Sequence, residues 1–107
     1  MTSQQVQLTA AGFSIPVPID LKMFKFGVGL LVNIPSGVSA TCNVQVSGDK
    51  RASPFGLWNL HDTLQAISTS ANGSLAYPVT MVRLQVVNTS SSVLPITLSV
   101  IQVKGSI

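Results

Sequence analysis

Apolar and polar residues alternate in strict two-residue steps through the middle of this 107-residue chain. Ala40, Cys42, Val44 and Val46 share one parity, and Thr, Asn and Gln stand between them. Successive side chains of a β-strand point to opposite faces, so residues 38–46 are predicted to form a strand with one face in a core. Cys42 is then a buried thiol. As the single cysteine, it cannot form an internal disulfide.

The same alternation recurs along the chain, and no segment holds a helical period of 3.6 residues for long. It predicts further strands at residues 5–10, 82–86 and 94–103. Residues 13–18 include Pro16 and Pro18, which cannot donate to a ladder, so this segment is expected at a sheet edge or in an extended linker. Strands of this spacing, separated by turns, indicate a β-sandwich or a barrel.

Two segments depart from simple alternation. Residues 23–34 are apolar at both parities and contain Gly27 and Gly29, which predicts a buried strand with a bulge or a close backbone approach at a glycine. Residues 57–67 are expected to form a short strand followed by one helical turn. Asn72-Gly73 is predicted to be a turn.

The segment from 50 to 77 is long for a loop in a compact domain, and such loops usually have a function. It contains Trp58, the single tryptophan, and Trp is enriched at interfaces. We therefore expect a contact surface here that includes Trp58, Arg51 and Tyr77. The alternative for Trp58 is a core side chain beneath the loop.

Charge is scarce, because charged residues make up 8% of the chain where about 25% is typical. The chain has six basic and three acidic residues, and the basic residues do not form a cluster, so nucleic-acid binding is not expected. A surface covered by Ser, Thr, Asn and Gln suits packing against a neighbouring subunit. The longest apolar run is shorter than the ~20 residues that span a bilayer, and the N-terminus has no signal-peptide pattern. We therefore expect a protein that is neither secreted nor membrane-bound.

The side chains for catalysis or metal binding are few: three Asp, no Glu, one His and one Cys. A catalytic triad would need His61, and the adjacent Asp62 cannot orient it because neighbouring side chains diverge. Asp20 or Asp49 could approach it in space. The favoured interpretation is that His61 and Asp62 bind loop backbone. We expect no enzymatic activity, no cofactor and no metal.

The second half of the chain resembles small proteins from the structural-gene regions of tailed bacteriophages, namely capsid decoration (cement) proteins or other minor virion components. The resemblance covers roughly residues 55–103. It rests on three strings of residues, LWNLHDTL at 57–64, SANGSLAYPVT at 70–80 and TLSVIQ at 97–102, together with Val82-Arg83-Leu84-Gln85-Val86.

From its length, the chain is expected to form one domain over residues 1–107, an antiparallel β-sandwich, with residues 1–5 as a flexible arm. Membership of that family implies a β-sandwich or jelly-roll-like fold. It further implies binding to the major capsid protein, self-association as a dimer or trimer, and a place on the capsid surface after assembly in the host cytoplasm. A jelly roll has about eight strands, whereas the alternation predicts six or seven.

Three functional hypotheses follow. The first is a virion structural protein that stabilises a capsid through many weak contacts. The second is a carbohydrate-binding module or fibre-type adhesin that stacks sugars on Trp58 and Tyr77. The third, much weaker, is a hydrolase built around His61.

Overall fold

Strands make up all the regular structure in the described part of the chain, which in the computed structural model comprises residues 2–20, 27–48, 58–75 and 79–102. Nine strands follow one another along the sequence. They are β1 (Thr2–Leu8), β2 (Gly12–Phe13), β3 (Val17–Pro18), β4 (Val28–Asn33), β5 (Ala40–Ser47), β6 (Asn59–Leu60), β7 (Ala71–Ser74), β8 (Met81–Thr89) and β9 (Ile96–Gln102). None of the described residues forms a helix long and apolar enough to cross a membrane.

The strands form two antiparallel sheets that pack face to face. Sheet A has the order β1-β9-β4-β7, and sheet B has the order β2-β8-β5-β6, with β3 also paired to β8. If β2 and β3 count as two halves of one strand, the chain pairs from its two ends inward. β1 pairs with β9, β2 and β3 pair with β8, β4 pairs with β7, and β5 pairs with β6. That pairing is a long antiparallel hairpin rolled into two sheets, so the β-sandwich is jelly-roll-like, as expected.

The core lies between the two sheets and consists of aliphatic side chains from alternate positions of the long strands. Val44, Leu84, Leu98 and Leu30 are each 0% exposed. A fully buried Val or Leu side chain stabilises a fold by about 1.5–3 kcal/mol relative to its exposed state. The predicted parity of residues 38–46 is confirmed, since the even-numbered residues of β5 are buried.

The predicted edge position of the proline-containing segment is also confirmed. β2 and β3 are two residues each and pair only with β8 in the described part of the chain. Residues 2–5, part of the segment expected as an arm, lie in β1 and pair in register with β9. A strand gains the hydrogen bonds of a ladder, which a polar sequence such as Ser3-Gln4-Gln5 makes as well as an apolar one.

The prediction that residues 23–34 are buried on both faces is wrong for the part that the structure describes. Val28, Leu30 and Val32 face the core, but Leu31 is 42% exposed on the outer face of sheet A. The register of β4 with both neighbours is continuous, so the expected bulge is absent from Val28–Asn33. Residues 21–26 lie outside the described residues.

Two predictions about residues 57–75 are wrong. Residues 62–66 follow β6 as a series of bends without a helical turn, because Leu64 and the flanking His61 and Ile67 bond to the backbone of β5. Asn72-Gly73 lies within β7, where Gly73 pairs with Leu30. A Cβ at Gly73 would lie 3.1 Å from Leu64 Cδ1, so this glycine allows a close approach in a strand.

Candidate functional site

The outer face of sheet B carries one cation in contact with two aromatic rings. The guanidinium carbon of Arg83 lies 4.0 Å from the centre of the Phe13 ring and 4.2 Å from the centre of the Trp58 ring. Arg83 belongs to β8, Phe13 to β2, and Trp58 directly precedes β6. We call these three residues the aromatic–arginine stack.

The strand register explains why these side chains meet. Val82 and Leu84 are core residues, so Arg83 between them points to the opposite face of sheet B. Phe13 pairs with Gln85, which lies two residues from Arg83 on the same face. The diagonal neighbours of an antiparallel pair are within reach of long and aromatic side chains.

A row of side-chain amides continues from Arg83 across sheet B. Arg83 Nε donates to Gln45 Oε1 at 2.7 Å, and the amides of Gln45 and Asn43 both donate to Gln85 Oε1. Asn43 Oδ1 in turn accepts from the backbone N–H of Ala66 at 2.6 Å. Ala66 has a positive φ of 52°, which is uncommon outside glycine, and this bond helps to hold it there. The row therefore links the stack to the bends that follow β6.

Arg83 is nearly inaccessible, at 7% exposed. Burial lowers the pKa of its guanidinium from the ordinary value, yet an arginine stays protonated in proteins. It forms no ion pair with either carboxylate in the described part of the chain. The ring faces and the Gln45 amide contact the guanidinium and stabilise its charge, and a desolvated cation–π contact contributes about 2 kcal/mol.

The stack contains one of the three residues predicted from the sequence to form a contact surface, Trp58. Trp58 is half-buried on the outer face of sheet B, and it is neither a member of the core cluster nor a fully exposed anchor. Arg51 and Tyr77 lie outside the described residues. Phe13 and Arg83 were not predicted as site residues. Alternation places Arg83 on an outer face, but no local signal shows that Phe13 and Trp58 flank it.

His61 binds backbone through both ring nitrogens, as the favoured interpretation predicted. Nε2 lies 2.7 Å from the carbonyl oxygen of Ser74, which can only accept, so Nε2 carries the hydrogen. Nδ1 accepts from the backbone N–H groups of Thr63 at 3.1 Å and Leu64 at 3.2 Å. Neither ring nitrogen contacts a carboxylate in the described segments, and the ring is 7% exposed.

These bonds join the two sheets at one side of the sandwich. His61 follows β6 of sheet B, and Ser74 ends β7 of sheet A. The buried Leu64 fills the space beside Gly73, and its carbonyl accepts from Val44 N–H at 2.7 Å. We call this side the closed edge. A cavity of about 230 Å³ remains at its surface, lined in part by Asp62 and Thr63.

The opposite side of the sandwich is open. There β1 is the last strand of sheet A in the described order, and the segment 13–15 lies beside it at the border of sheet B. A cleft of about 540 Å³ separates them, lined by Gln5, Val6, Gln7, Leu8, Phe13, Ser14 and Ile15. Phe13 is 51% and Ile15 76% exposed. We call this side the open edge.

Charge is even scarcer in the described residues than in the whole chain. They contain only Asp20, Asp62 and Arg83 as charged side chains, and Arg83 is buried. The outer face of sheet A has none at all. Its residues are Ser3, Gln5, Gln7, Gly29, Leu31, Asn33, Asn72, Ser74, Thr97, Ser99 and Ile101.

Cys42 is buried in the core at 0% exposed, as predicted. Burial raises the pKa of its thiol, so the reactive thiolate form is disfavoured.

No group of three or more His, Cys, Asp or Glu residues that could hold a metal occurs in the described segments. Comparisons of the chain with protein-family models, curated proteins and solved structures find no match.

Proposed function

We propose that this chain is a virion structural protein of a tailed bacteriophage, without enzymatic activity, that binds the outside of an assembled capsid and stabilises it. The outer face of sheet B is the contact surface. The aromatic–arginine stack is the observation that carries this proposal, because the buried Arg83 fixes the rings of Phe13 and Trp58 on this face, and Trp is among the side chains most enriched in residues that dominate binding energy.

The stack is prepared for binding before any partner arrives. Arg83 is held by two rings and by Gln45, so little side-chain entropy remains to be lost on association. Leu60, which pairs with Gln45 and is 44% exposed, adds an apolar contact on the same face. The described residues that surround them on this face carry no further charge, which lowers the desolvation cost of burying them.

Two further observations support the proposal. The resemblance to decoration proteins includes Trp58 and Arg83, both within residues 55–103. The jelly-roll-like sandwich is an architecture used by viral capsid domains, although it also serves lectins, so the fold by itself does not select between them. Multivalent attachment of many copies to one shell would turn weak contacts into a stable coat.

A carbohydrate-binding module or adhesin is the second candidate, and the amide row favours it. Gln45, Gln85 and Asn43 lie beside two aromatic rings, and amides next to rings can bind hydroxyl groups of a sugar while a ring stacks on its apolar face. Arg83 already covers part of the Trp58 ring, however, which reduces the area left for stacking.

The test is to add purified protein to phage shells that lack it, and to follow shell disruption on heating. Decoration predicts saturable binding at a fixed number of copies per shell and a higher disruption temperature, because binding linkage is reciprocal. Protein that stays in solution beside intact shells and is retained on a glycan column would establish the adhesin instead.

A matched pair of variants locates the contact surface. Leu60→Ser on sheet B and Leu31→Ser on sheet A remove leucines of nearly equal exposure, 44% and 42%, from opposite outer faces. Leu60→Ser should weaken shell binding, whereas Leu31→Ser should leave it unchanged. Equal effects of the two variants, or the reverse order, would place the contact elsewhere.

A further inference from the structure

Within the described part of the chain, strand β1 at the open edge lacks the features by which proteins usually protect an edge strand. Its seven residues contain no charge, no proline and no glycine, and they pair with β9 without a bulge. In an antiparallel ladder, every second residue of the outer strand directs its N–H and C=O away from its neighbour. Such a row of unpaired backbone groups is a template for another strand.

We propose that β1 pairs in antiparallel fashion with β1 of a second copy of this chain, which joins the two A sheets into one continuous eight-stranded sheet. A two-fold axis at Gln5, the middle residue of Thr2–Leu8, brings all seven residues of both strands into register. This contact removes both unprotected edges at once, and it closes on itself so that no fibre can grow.

The side chains are compatible with that symmetry. Val6 faces the core, so Ser3, Gln5 and Gln7 lie on the outer face of sheet A. The two-fold axis places Gln5 opposite Gln5 of the second copy, and Ser3 opposite its Gln7. Both of these outer-face pairings join hydrogen-bonding side chains, with no like charges to repel. The Gln5 amide already donates to Ser99 Oγ at 3.1 Å, so the contact would extend an existing polar row.

The cleft at the open edge explains why a second copy fits better than an isolated strand. A single added strand would pair with β1 but would leave Phe13 and Ile15 exposed below it. In a dimer, residues 13–15 of the second copy lie beside those of the first, because the two-fold axis that joins the A sheets also makes the two clefts face each other. The exposed Ile15 side chains then have an apolar surface to pack against.

The experiment is to measure the mass of the protein in solution across a concentration series, by light scattering after gel filtration. The wild-type chain should have twice the 11.2 kDa mass of one chain. Gln5→Lys and Gln5→Glu each place like charges across the axis, which should raise the dissociation constant roughly tenfold or more. An equimolar mixture of the two variants should form a dimer again, because the charges are then opposite.

Asn72→Lys is the matched control. Asn72 is exposed on the same outer face of sheet A, but it lies in β7 at the opposite end of the sheet. This variant should dimerise like the wild type, and all variants should keep the wild-type melting temperature of the monomer. A wild-type protein that stays monomeric at its highest soluble concentration would overturn the proposal. So would a dimer that persists in both Gln5 variants, a mixture that does not associate, or a dimer that Asn72→Lys breaks.

None of these measurements uses a phage shell, and the variants that test shell binding lie on sheet B. Self-association through β1 can therefore fail while capsid decoration succeeds, and the reverse also holds.

Discussion

The two sides of this sandwich differ in how the borders of sheets A and B are covered. At each side, the last strand of one sheet lies near the last strand of the other. At the closed edge, the His61 ring and the buried Leu64 join β6 to β7, and the chain from His61 to Ile67 bonds along the free side of β5. At the open edge, β1 and residues 13–15 flank a cleft without an equivalent bridge among the described residues. An edge that the chain closes by itself serves stability, whereas an open and uncharged one is available to a partner.

The two edges share one core, and a charge placed in that core tests whether they fold together. Val44 is 0% exposed, and its backbone bonds to both His61 and Leu64. Val44→Asp should leave no folded protein at 25 °C, because an unpaired carboxylate would be buried. Circular dichroism and the loss of thermal unfolding cooperativity would show it. Thr97→Asp, on the outer face of sheet A, is the control and should fold.

Substitutions at the two edges should lower the free energy of unfolding by different amounts. His61→Phe keeps a buried ring but leaves three backbone groups without a partner, so it should destabilise the protein by about 2–3 kcal/mol. His61→Gln can replace part of this bonding and should cost about 1 kcal/mol. Gln5→Ala at the open edge should change stability by less than about 0.5 kcal/mol. Urea unfolding of the three variants at a concentration that keeps the wild type monomeric would measure this order, and equal costs would remove the distinction between the edges.

Close packing at the closed edge can be tested at its glycine. Gly73→Val should cost about 1–3 kcal/mol, because the new side chain would overlap Leu64, which is 1% exposed and cannot move freely. Gly29→Val is the matched control in the neighbouring strand, where a Cβ would meet only Ile101 atoms at 3.9 Å. The control should be neutral. A Gly73→Val variant as stable as Gly29→Val would mean that the closed edge is loosely packed.

A smaller effect than at Gly73 is expected at the aromatic–arginine stack on sheet B. Arg83→Lys keeps the positive charge but loses the planar guanidinium that contacts both rings, so it should cost about 1 kcal/mol. The fluorescence of Trp58, the single tryptophan, should also shift as its ring loses the contact. An unchanged spectrum with unchanged stability would contradict a fixed stack in solution.

Much of the fold could be predicted from local pattern, and the errors have a common cause. The parity of residues 38–46 placed Cys42 and Val44 in the core correctly. Asn72-Gly73 has the composition of a turn, yet it lies in strand β7. The side chain of Leu64, which precedes β7 in the chain, packs into the space that the glycine leaves. Local propensity is overridden where packing against a distant residue contributes more free energy than a turn does.

Of the three residues in the aromatic–arginine stack, one was a predicted site residue. Trp58 was a candidate on composition alone, whereas Phe13 and Arg83 carry no signal of their own. Their meeting depends on the register of β2 on β8 and on the position of β6 beside β5. Register is a property of whole sheets, because each strand finds its place only when its buried face matches the common core.

The sequence was sufficient to predict that this chain folds as strands with one buried face, that its thiol is in the core and that its surface is poor in charge. Those properties follow from side-chain periodicity and composition, which are local. The sequence did not predict the edge of the sandwich that His61 closes, the edge that stays open or the side chains that surround Arg83. These depend on sheet order and register, which bring together residues that are far apart in the chain.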